Sequence, residues 1–494
     1  MSTTMSASLV GAIRSTPAGN WIDGRWNFGG EIHESIDPST GKAVGTFHSA
    51  GDTEARSAIT AARKAFDSTG WSRLAEPRAR ALDEFADRVE RRTEELGAML
   101  SRETGRLVWE TRMEAEMAAR LLRLNAARAR VQTGGQALEQ APETYWHAVP
   151  EPAGVVGIIV PWNGPLLLAV RAIGPALAAG CAAVVKLPGQ TALTNALLAE
   201  AVAETASLPP GVLSLLTETG NEVAPLLVDS PEVDVLSYTG STRVGRLVAA
   251  GVAARVKRTT LELGGKTPLL IFDDVDIDAV VPVVVRAATL MNGQYCATGS
   301  RVLVHRAVAD ELRTKLTAAL RSVRVGPADD PDSRLGPLID KAAVARVDRL
   351  VEEAADYARI LVRGGIPDEP ELRDGAYYRP SLIETDDVDV PLVQEEVFGP
   401  VQTFEVFEDE ADAIRRANAT DFGLAASVFT ADDLRARRVG RELRMGEVWF
   451  NAHGLTTSQM AGTPVKQSGY GSFGGSAALE QFQVVKRYGT RRHG

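Results

Sequence analysis

The chain has 494 residues, more than one hydrophobic core usually supports, so two or three domains are expected. Hydrophobic residues at 45% and charged residues at 24% match an ordinary soluble globular protein, and a net charge of −10 gives no electrostatic reason to bind nucleic acid or an anionic membrane. Two cysteines, Cys181 and Cys296, cannot build a disulfide framework, which suits a reducing cytoplasm.

Taken in order, residues 1–14 carry no basic leader, and the apolar run 8–13 is too short for the core of a signal peptide. The remainder of 1–52 is rich in Gly, Pro, Asp and Ser, and predicts turns and small strands. Asp52 then opens a helix toward Phe66. From about 77 to 130 the pattern is helical and heavily charged, with Leu82, Phe85, Ala86, Val89 and Leu96 in one apolar stripe and solvated outer faces. Residues 131–136 and 144–149 predict two strands outside the main sheet, either a surface hairpin or an edge that pairs with another subunit.

From 153 the signal sharpens. Apolar runs begin near 155, 182, 212, 234 and 256 and alternate with helical stretches near 165–179, 191–206, 221–229 and 241–253. That alternation implies parallel βαβ units, in which ligands sit beyond the carboxyl ends of the strands. The apolar run 165–185 approaches membrane-spanning length, but Arg171, Pro175 and its glycines favour a buried helix followed by a strand. A Gly-x-Gly-x-x-Gly fingerprint is absent after the first strand, where Pro161-Trp-Asn-Gly-Pro165 stands instead. At Thr239-Gly-Ser241 a strand enters a helix through Gly and Ser. Free N–H groups there could meet a phosphate, although the same tripeptide also serves as a common turn.

A second α/β segment has helical patterns near 276–291, 306–323, 340–357 and 432–443. Strand-like runs lie at 301–305, 359–362, 401–407, 425–429 and 446–450, and a last strand candidate at 482–488. Within it Cys296 sits beside a glycine loop and an aromatic residue, Gly293-Gln-Tyr-Cys296. A nucleophilic thiol must have its pKa of about 8.5 lowered by its surroundings. Glu262 lies 296 − 262 = 34 residues upstream, far enough for an excursion to bring a carboxylate back to the sulfur. Cys181, within a run of Ala, Gly and Val, reads as a small core residue. None of the six histidines sits in a telling motif, which leaves a cysteine hydrolase remote.

Six segments in order resemble the aldehyde dehydrogenase superfamily: Val160-Pro-Trp-Asn163, Val184-Val-Lys186, Tyr238-Thr-Gly-Ser-Thr242, Leu261-Glu-Leu-Gly-Gly265, Gln294-Tyr-Cys296 and Glu395-Glu-Val-Phe-Gly-Pro400. The resemblance implies an α/β fold of two Rossmann-like parallel-sheet domains with a small β oligomerisation element. Residues 1–130 and 153–264 would bind coenzyme, 265–455 would carry the nucleophile, and 131–152 and 475–494 would be oligomerisation strands. It implies that Cys296 attacks an aldehyde and that Asn163, with the Cys296 N–H, holds the oxyanion. Glu262 would activate water to hydrolyse the resulting thioester. Lys186 would hydrogen-bond the adenine ribose, Gly240 and Ser241 would meet the pyrophosphate, and Glu396 would take the nicotinamide ribose, with Phe398, Trp162 and Pro161 close by. Tyr295, with Trp449 and Phe450, suggests an apolar pocket for aromatic or medium-to-long aliphatic aldehydes. The expected coenzyme is NAD, the expected assembly a homo-oligomer, tetramer rather than dimer, and the expected location cytoplasmic, with neither nucleic acid nor membrane as partner.

The chain departs from the family pattern at four places. Gly189 stands where a glutamate is usual, and Thr217-Glu-Thr-Gly-Asn221 retains a single glycine of a richer loop. Ala461-Gly-Thr-Pro464 replaces Pro-Phe-Gly-Gly, and Gly471-Ser-Phe473 replaces Gly-Arg-Glu. Gly189 would leave space beside Lys186 for a 2′-phosphate, so NADP is expected to be accepted as well. Two further readings remain: transfer of the acyl group to coenzyme A, against which Glu262 argues, and a non-catalytic binding protein, which would be expected to lose Cys296, Glu262 or Asn163.

Overall fold

The computed structural model describes residues 16–131, 135–455 and 457–491. Five strands follow one another as β1 Val155–Ile159, β2 Ala182–Pro188, β3 Leu213–Glu218, β4 Val235–Thr239 and β5 Arg258–Glu262. They form the parallel core of one sheet in the order β3-β2-β1-β4-β5. Alternate residues feed two cores: Val156, Ile158, Ala183 and Val185 face one side, Val155, Ile159, Ala182 and Val184 the other. Burial on both faces is why these strands read as unbroken apolar runs. Short antiparallel strands, Asn20–Ile22 with Arg25–Asn27 and Gly469–Tyr470, close the two edges.

The second sheet contains β6 Pro268–Ile271, β7 Arg301–His305, β8 Arg359–Val362, β9 Ser381–Glu384, β10 Val401–Phe407, β11 Ala425–Phe429 and β12 Glu447–Phe450. Their order is β8-β9-β10-β7-β6-β11-β12, parallel apart from the β8–β9 pair. A third, antiparallel sheet pairs Gln483–Arg491 with Thr144–Pro152, and that strand with Ala137–Ala141. It leaves Leu138, Val485 and Tyr488 exposed. No helix among the described residues is long and apolar enough to cross a membrane; the run at 165–185 is the helix Pro165–Ala179 followed by β2.

Several local expectations need correction. The first helix, Asp52–Ser68, opens at Asp52 as expected but runs past Phe66, with Gly51 as its cap and the Glu54 carboxylate accepting the Gly51 N–H at 3.0 Å. The stripe of 82–96 is divided between the helices Ala75–Arg91 and Thr93–Thr104, so Leu96 belongs to a different helix from Leu82. The strand expected at 131–136 lies partly outside the described residues; Val131 ends the helix Val108–Arg130, and the strand begins at Ala137. Two strands, β6 and β9, and the helix Glu410–Ala417 had no separate signal. Both strands are four residues long, and β6 opens with a proline. The expected leader-free start at 1–14 lies outside the described residues.

Candidate active site

The chain passes from β5 to β6 through residues 263–267, so the carboxyl edge of the first sheet meets the amino edge of the second. The first sheet changes direction between β1 and β4, and a crevice beyond strand ends at such a switch point is where α/β sheets take ligands. Asn163 follows β1, Gly240 and Ser241 follow β4, and Glu262 ends β5. The second sheet brings Cys296 in the loop before β7 and Glu396 in the loop before β10.

The loop that presents Cys296 is locked from several sides. Met291, Asn292 and Gly293 are consecutively left-handed, at φ 51°, 59° and 72°, a conformation that costs of order 1–3 kcal/mol at each non-glycine position. The Asn292 amide Nδ2 donates to the carbonyls of Gly105 and Pro337 at 2.9 and 2.8 Å, and its Oδ1 accepts from the Gly336 N–H at 2.9 Å. The Glu110 carboxylate accepts the Met291 N–H at 2.9 Å. From the other side, a Cβ on Gly265 would lie 2.3 Å from the Cys296 carbonyl oxygen, so the Gly264-Gly265 pair is what lets the two loops touch.

Asn163 is buried, and its Nδ2 donates to the Gln294 carbonyl at 3.0 Å, leaving its second amide proton for a ligand. The Asn163 carbonyl accepts from Arg106 Nη1 at 3.0 Å; that buried arginine also pairs with Glu114, whose Oε1 receives the N–H groups of Leu166 and Leu167 at 3.1 Å. Glu262 is 7% exposed, and its Oε2 lies 2.8 Å from Arg171 Nη1. Cys296 is half-buried; desolvation pushes its thiol pKa well up, the charges of Glu262 and Glu396 add to that, and Arg171 opposes them. Burial likewise pushes the Tyr295 phenol up, so it stays neutral beside the thiol.

Along the first-sheet edge Lys186 Nζ lies 3.9 Å from Glu218 Oε2, with side chains 16% and 1% exposed. Burial pushes the Lys186 pKa down and Glu218 opposes it. Glu218 Oε1 accepts the N–H groups of Glu222 and Val223, the latter at 2.8 Å. Its Oε2 is buried and accepts no hydrogen bond among the described residues. Ser241 caps the helix Thr242–Ala254, its Oγ accepting from the Val244 N–H at 3.4 Å. Trp162 and Phe398 meet edge to face at 5.6 Å. Glu396 accepts the Gly265 N–H at 3.1 Å; burial pushes its carboxyl up to about 7 against that bond and the nearby Lys266 and Arg346.

The aldehyde dehydrogenase family model matches residues 26–488. The betaine aldehyde dehydrogenase of Bacillus subtilis is 35% identical over 470 residues, 94% of this chain and 96% of that one. The chain belongs to the aldehyde dehydrogenase family. The glutarate-semialdehyde dehydrogenase of Pseudomonas aeruginosa is 34% identical over 474 residues, 94% of this chain and 96% of its own length. Among solved structures, the betaine aldehyde dehydrogenase of Staphylococcus aureus in complex with NAD+ superposes with a TM-score of 0.94 at 34% identity, covering 97% of this chain and 96% of that one.

This aldehyde dehydrogenase thus brings Cys296, Glu262, Asn163 and Tyr295 to one junction, with Glu396 and Phe398 on its second-sheet side and Lys186, Gly240 and Ser241 along the first-sheet edge. Two expectations fail. Phe450 is 43% exposed and packs over Gly440, because alternation along β12 turns it away from Trp449, which clusters with Tyr295 and Ala297. The space expected at Gly189 is filled: a Cβ there would lie 2.4 Å from Thr219 Oγ1 and 3.2 Å from the Glu218 carbonyl. Sequence reasoning also passed over Arg106, Arg171, Glu218 and Ser468, whose Oγ donates to the Gly264 carbonyl at 2.7 Å. Arg171 alone left a trace, as the one charge in an apolar helix.

Proposed function

We propose that this aldehyde dehydrogenase oxidises an apolar aldehyde to the carboxylic acid through a thioester on Cys296. The observation that carries the reading is the meeting of thiol, amide and carboxylate at the junction of the two sheets. Cys296, as thiolate, adds to the carbonyl carbon and forms the C–S bond. The Asn163 amide and the Cys296 N–H stabilise the oxyanion. Bound NAD supplies the two-electron acceptor for the hydride released as the C=O bond re-forms. Glu262 then takes a proton from water, whose oxygen adds to the thioester carbon, and sulfur leaves. A buried carboxylate whose charge is felt at the thiol supports hydrolysis over transfer to coenzyme A.

The crevice fits a dinucleotide in its donor set. Lys186 and the free Glu218 Oε2 can meet ribose hydroxyls, and the Gly240-Ser241 turn offers N–H groups at a helix start. Glu218, rather than a residue at 189, is the carboxylate of that subsite in our reading.

The Tyr295–Trp449–Ala297 cluster supports an aromatic or aliphatic substrate. Pure enzyme mixed with NAD and a panel of aldehydes, followed by absorbance of the reduced coenzyme, is expected to favour such substrates; turnover confined to charged semialdehydes would overturn the pocket assignment. We also propose a homo-oligomer, tetramer rather than dimer, formed through the exposed three-stranded sheet, since an uncovered strand edge invites pairing. Light scattering that gives 52.7 kDa at micromolar concentration would refute it.

A further inference from the structure

Among the described residues the Arg171 guanidinium has three side-chain partners, and one of them is the carboxylate of Glu262. Nη1 lies 2.8 Å from Glu262 Oε2, Nη2 donates to Thr239 Oγ1 at 3.4 Å, and the guanidinium carbon sits 4.7 Å from the centre of the Phe473 ring. Phe473 is itself fixed by a reciprocal backbone pair with Gly462, at 2.8 Å in both directions. The two C-terminal stretches that depart from the family pattern, 461–464 and 471–473, therefore hold each other and set an aromatic plate under this arginine. Arg171 is also the lone charge on the helix Pro165–Ala179, whose amino end follows Asn163.

The charge around the nucleophile makes such a cation matter. Cys296 faces Glu262 from β5 and Glu396 from the loop before β10, both opposing a thiolate, with neutral Tyr295 beside it. Glu447 on β12 adds a further carboxyl that feels Glu262. Arg171 is the cation acting on the thiol from among these neighbours. An ion pair held in a largely buried pocket is weakly screened, so its loss is felt at short range.

We propose that Arg171 is a positioning residue that pins the Glu262 carboxylate and cancels its charge at Cys296, so that base and thiolate coexist in one pocket. The proposal rests on the roles given above to Cys296 and Glu262, but its test needs no aldehyde, so a failed search for a substrate leaves it standing.

The measurement is the pH dependence of iodoacetamide alkylation of the full chain without coenzyme, with the adduct mapped to Cys296 by mass spectrometry. Cys181 does not compete: it is fully buried, its thiol donates to the Phe482 carbonyl at 3.3 Å, and burial pushes it up to about 11. Arg171→Gln is expected to move the profile up by about one pH unit, slowing alkylation roughly tenfold near neutral pH. Arg171→Lys should keep most of the wild-type rate, since it keeps the charge. In a Glu262→Gln background the profile should start lower, and the same Arg171→Gln change should move it up by a similar amount, because the two charges act on the thiol additively. A purely structural role would lower the high-pH plateau of the alkylation rate and leave the midpoint in place. An Arg171→Gln profile that overlays wild type, or one that loses plateau rate with an unmoved midpoint, overturns the proposal. Should Arg171→Gln fail to fold by thermal melting, Phe473→Leu decides: loss of the plate is expected to slow alkylation about threefold, and an unchanged rate overturns it.

Discussion

The two parallel sheets bury their interiors by different means. In the first, β1 and the buried length of β2 before Lys186 are filled with Val, Ile and Ala on both faces. In the second, the neighbours β7 and β10 bury an ion pair: Arg301 Nε and Nη2 donate to Glu405 at 2.8 and 2.6 Å, with both side chains fully enclosed. Beside it the Gln402 amide donates to the Gly299 carbonyl at 2.6 Å, and the Thr403 N–H donates to the Ser300 carbonyl at 2.9 Å. Those partners lie just beyond Cys296 in the chain. The apolar sheet contributes the Glu262 carboxylate at a strand end. The polar one holds the loop that carries Cys296, and it does so with directional bonds rather than with volume.

The comparison breaks most sharply at the two groups proposed to react. Cys296→Ala is expected to abolish oxidation while coenzyme affinity, which we assign largely to the first sheet, stays within about threefold by fluorescence titration. Turnover above background would sink the nucleophile assignment, and lost coenzyme binding would show that the sheets are not separable. Glu262→Gln should lower steady-state turnover by roughly 100- to 10,000-fold, the usual cost of losing a general base. A first-turnover burst of reduced coenzyme should survive, because the hydride leaves before water attacks. A vanished burst would mean that the carboxylate is needed earlier, at the thiol.

Much of this was legible beforehand, for reasons the contrast explains. β1 to β4 announce themselves because burial on both faces demands apolar runs, and the candidate site residues Cys296, Glu262 and Asn163 sit in distinctive flanks. β6 and β9 did not, being short and, for β6, opened by Pro268. Phe450 was misplaced because adjacent aromatics on a strand face opposite ways. Arg171, Glu218 and Arg106 act through partners 91, 32 and 57 residues away along the chain. Long-range pairing of that kind has no periodicity to read.

The buried pair sharpens the comparison through stability. Breaking a buried ion pair from one side leaves an unpaired charge and typically costs about 3–5 kcal/mol. Glu405→Gln is therefore expected to destabilise the protein by about that amount in denaturant unfolding, and to slow turnover by loosening the 296–300 loop. Val184→Ala, a buried position in the first sheet, should cost only about 1–3 kcal/mol and leave turnover per folded molecule unchanged. Equal losses from the two would contradict the division drawn here.

The smallest effect concerns coenzyme choice, and it tests the apolar sheet where it carries its own buried charges. Lys186 lies near the end of β2 and Glu218 ends β3, and the free Glu218 Oε2 faces the ammonium at 3.9 Å. A carboxylate there accepts ribose hydroxyls and repels a 2′-phosphate. Charge-assisted hydrogen bonds contribute about 1.5–3 kcal/mol, so losing one should weaken NAD binding by roughly tenfold to over a hundredfold. Glutamine is the right probe, since its remaining oxygen can still accept the Glu222 and Val223 N–H groups and keep the helix Val223–Asp229 in place. Glu218→Gln is expected to weaken NAD and to strengthen NADP relative to it by about tenfold or more, read as dissociation constants from tryptophan quenching. Gly189→Glu, by contrast, must displace Thr219 and should weaken both coenzymes rather than restore a preference. With Glu218 in place, wild type should favour NAD and bind NADP measurably but more weakly. An unchanged NAD-to-NADP ratio in Glu218→Gln would remove Glu218 from the ribose subsite and return the discrimination to a residue outside this strand pair.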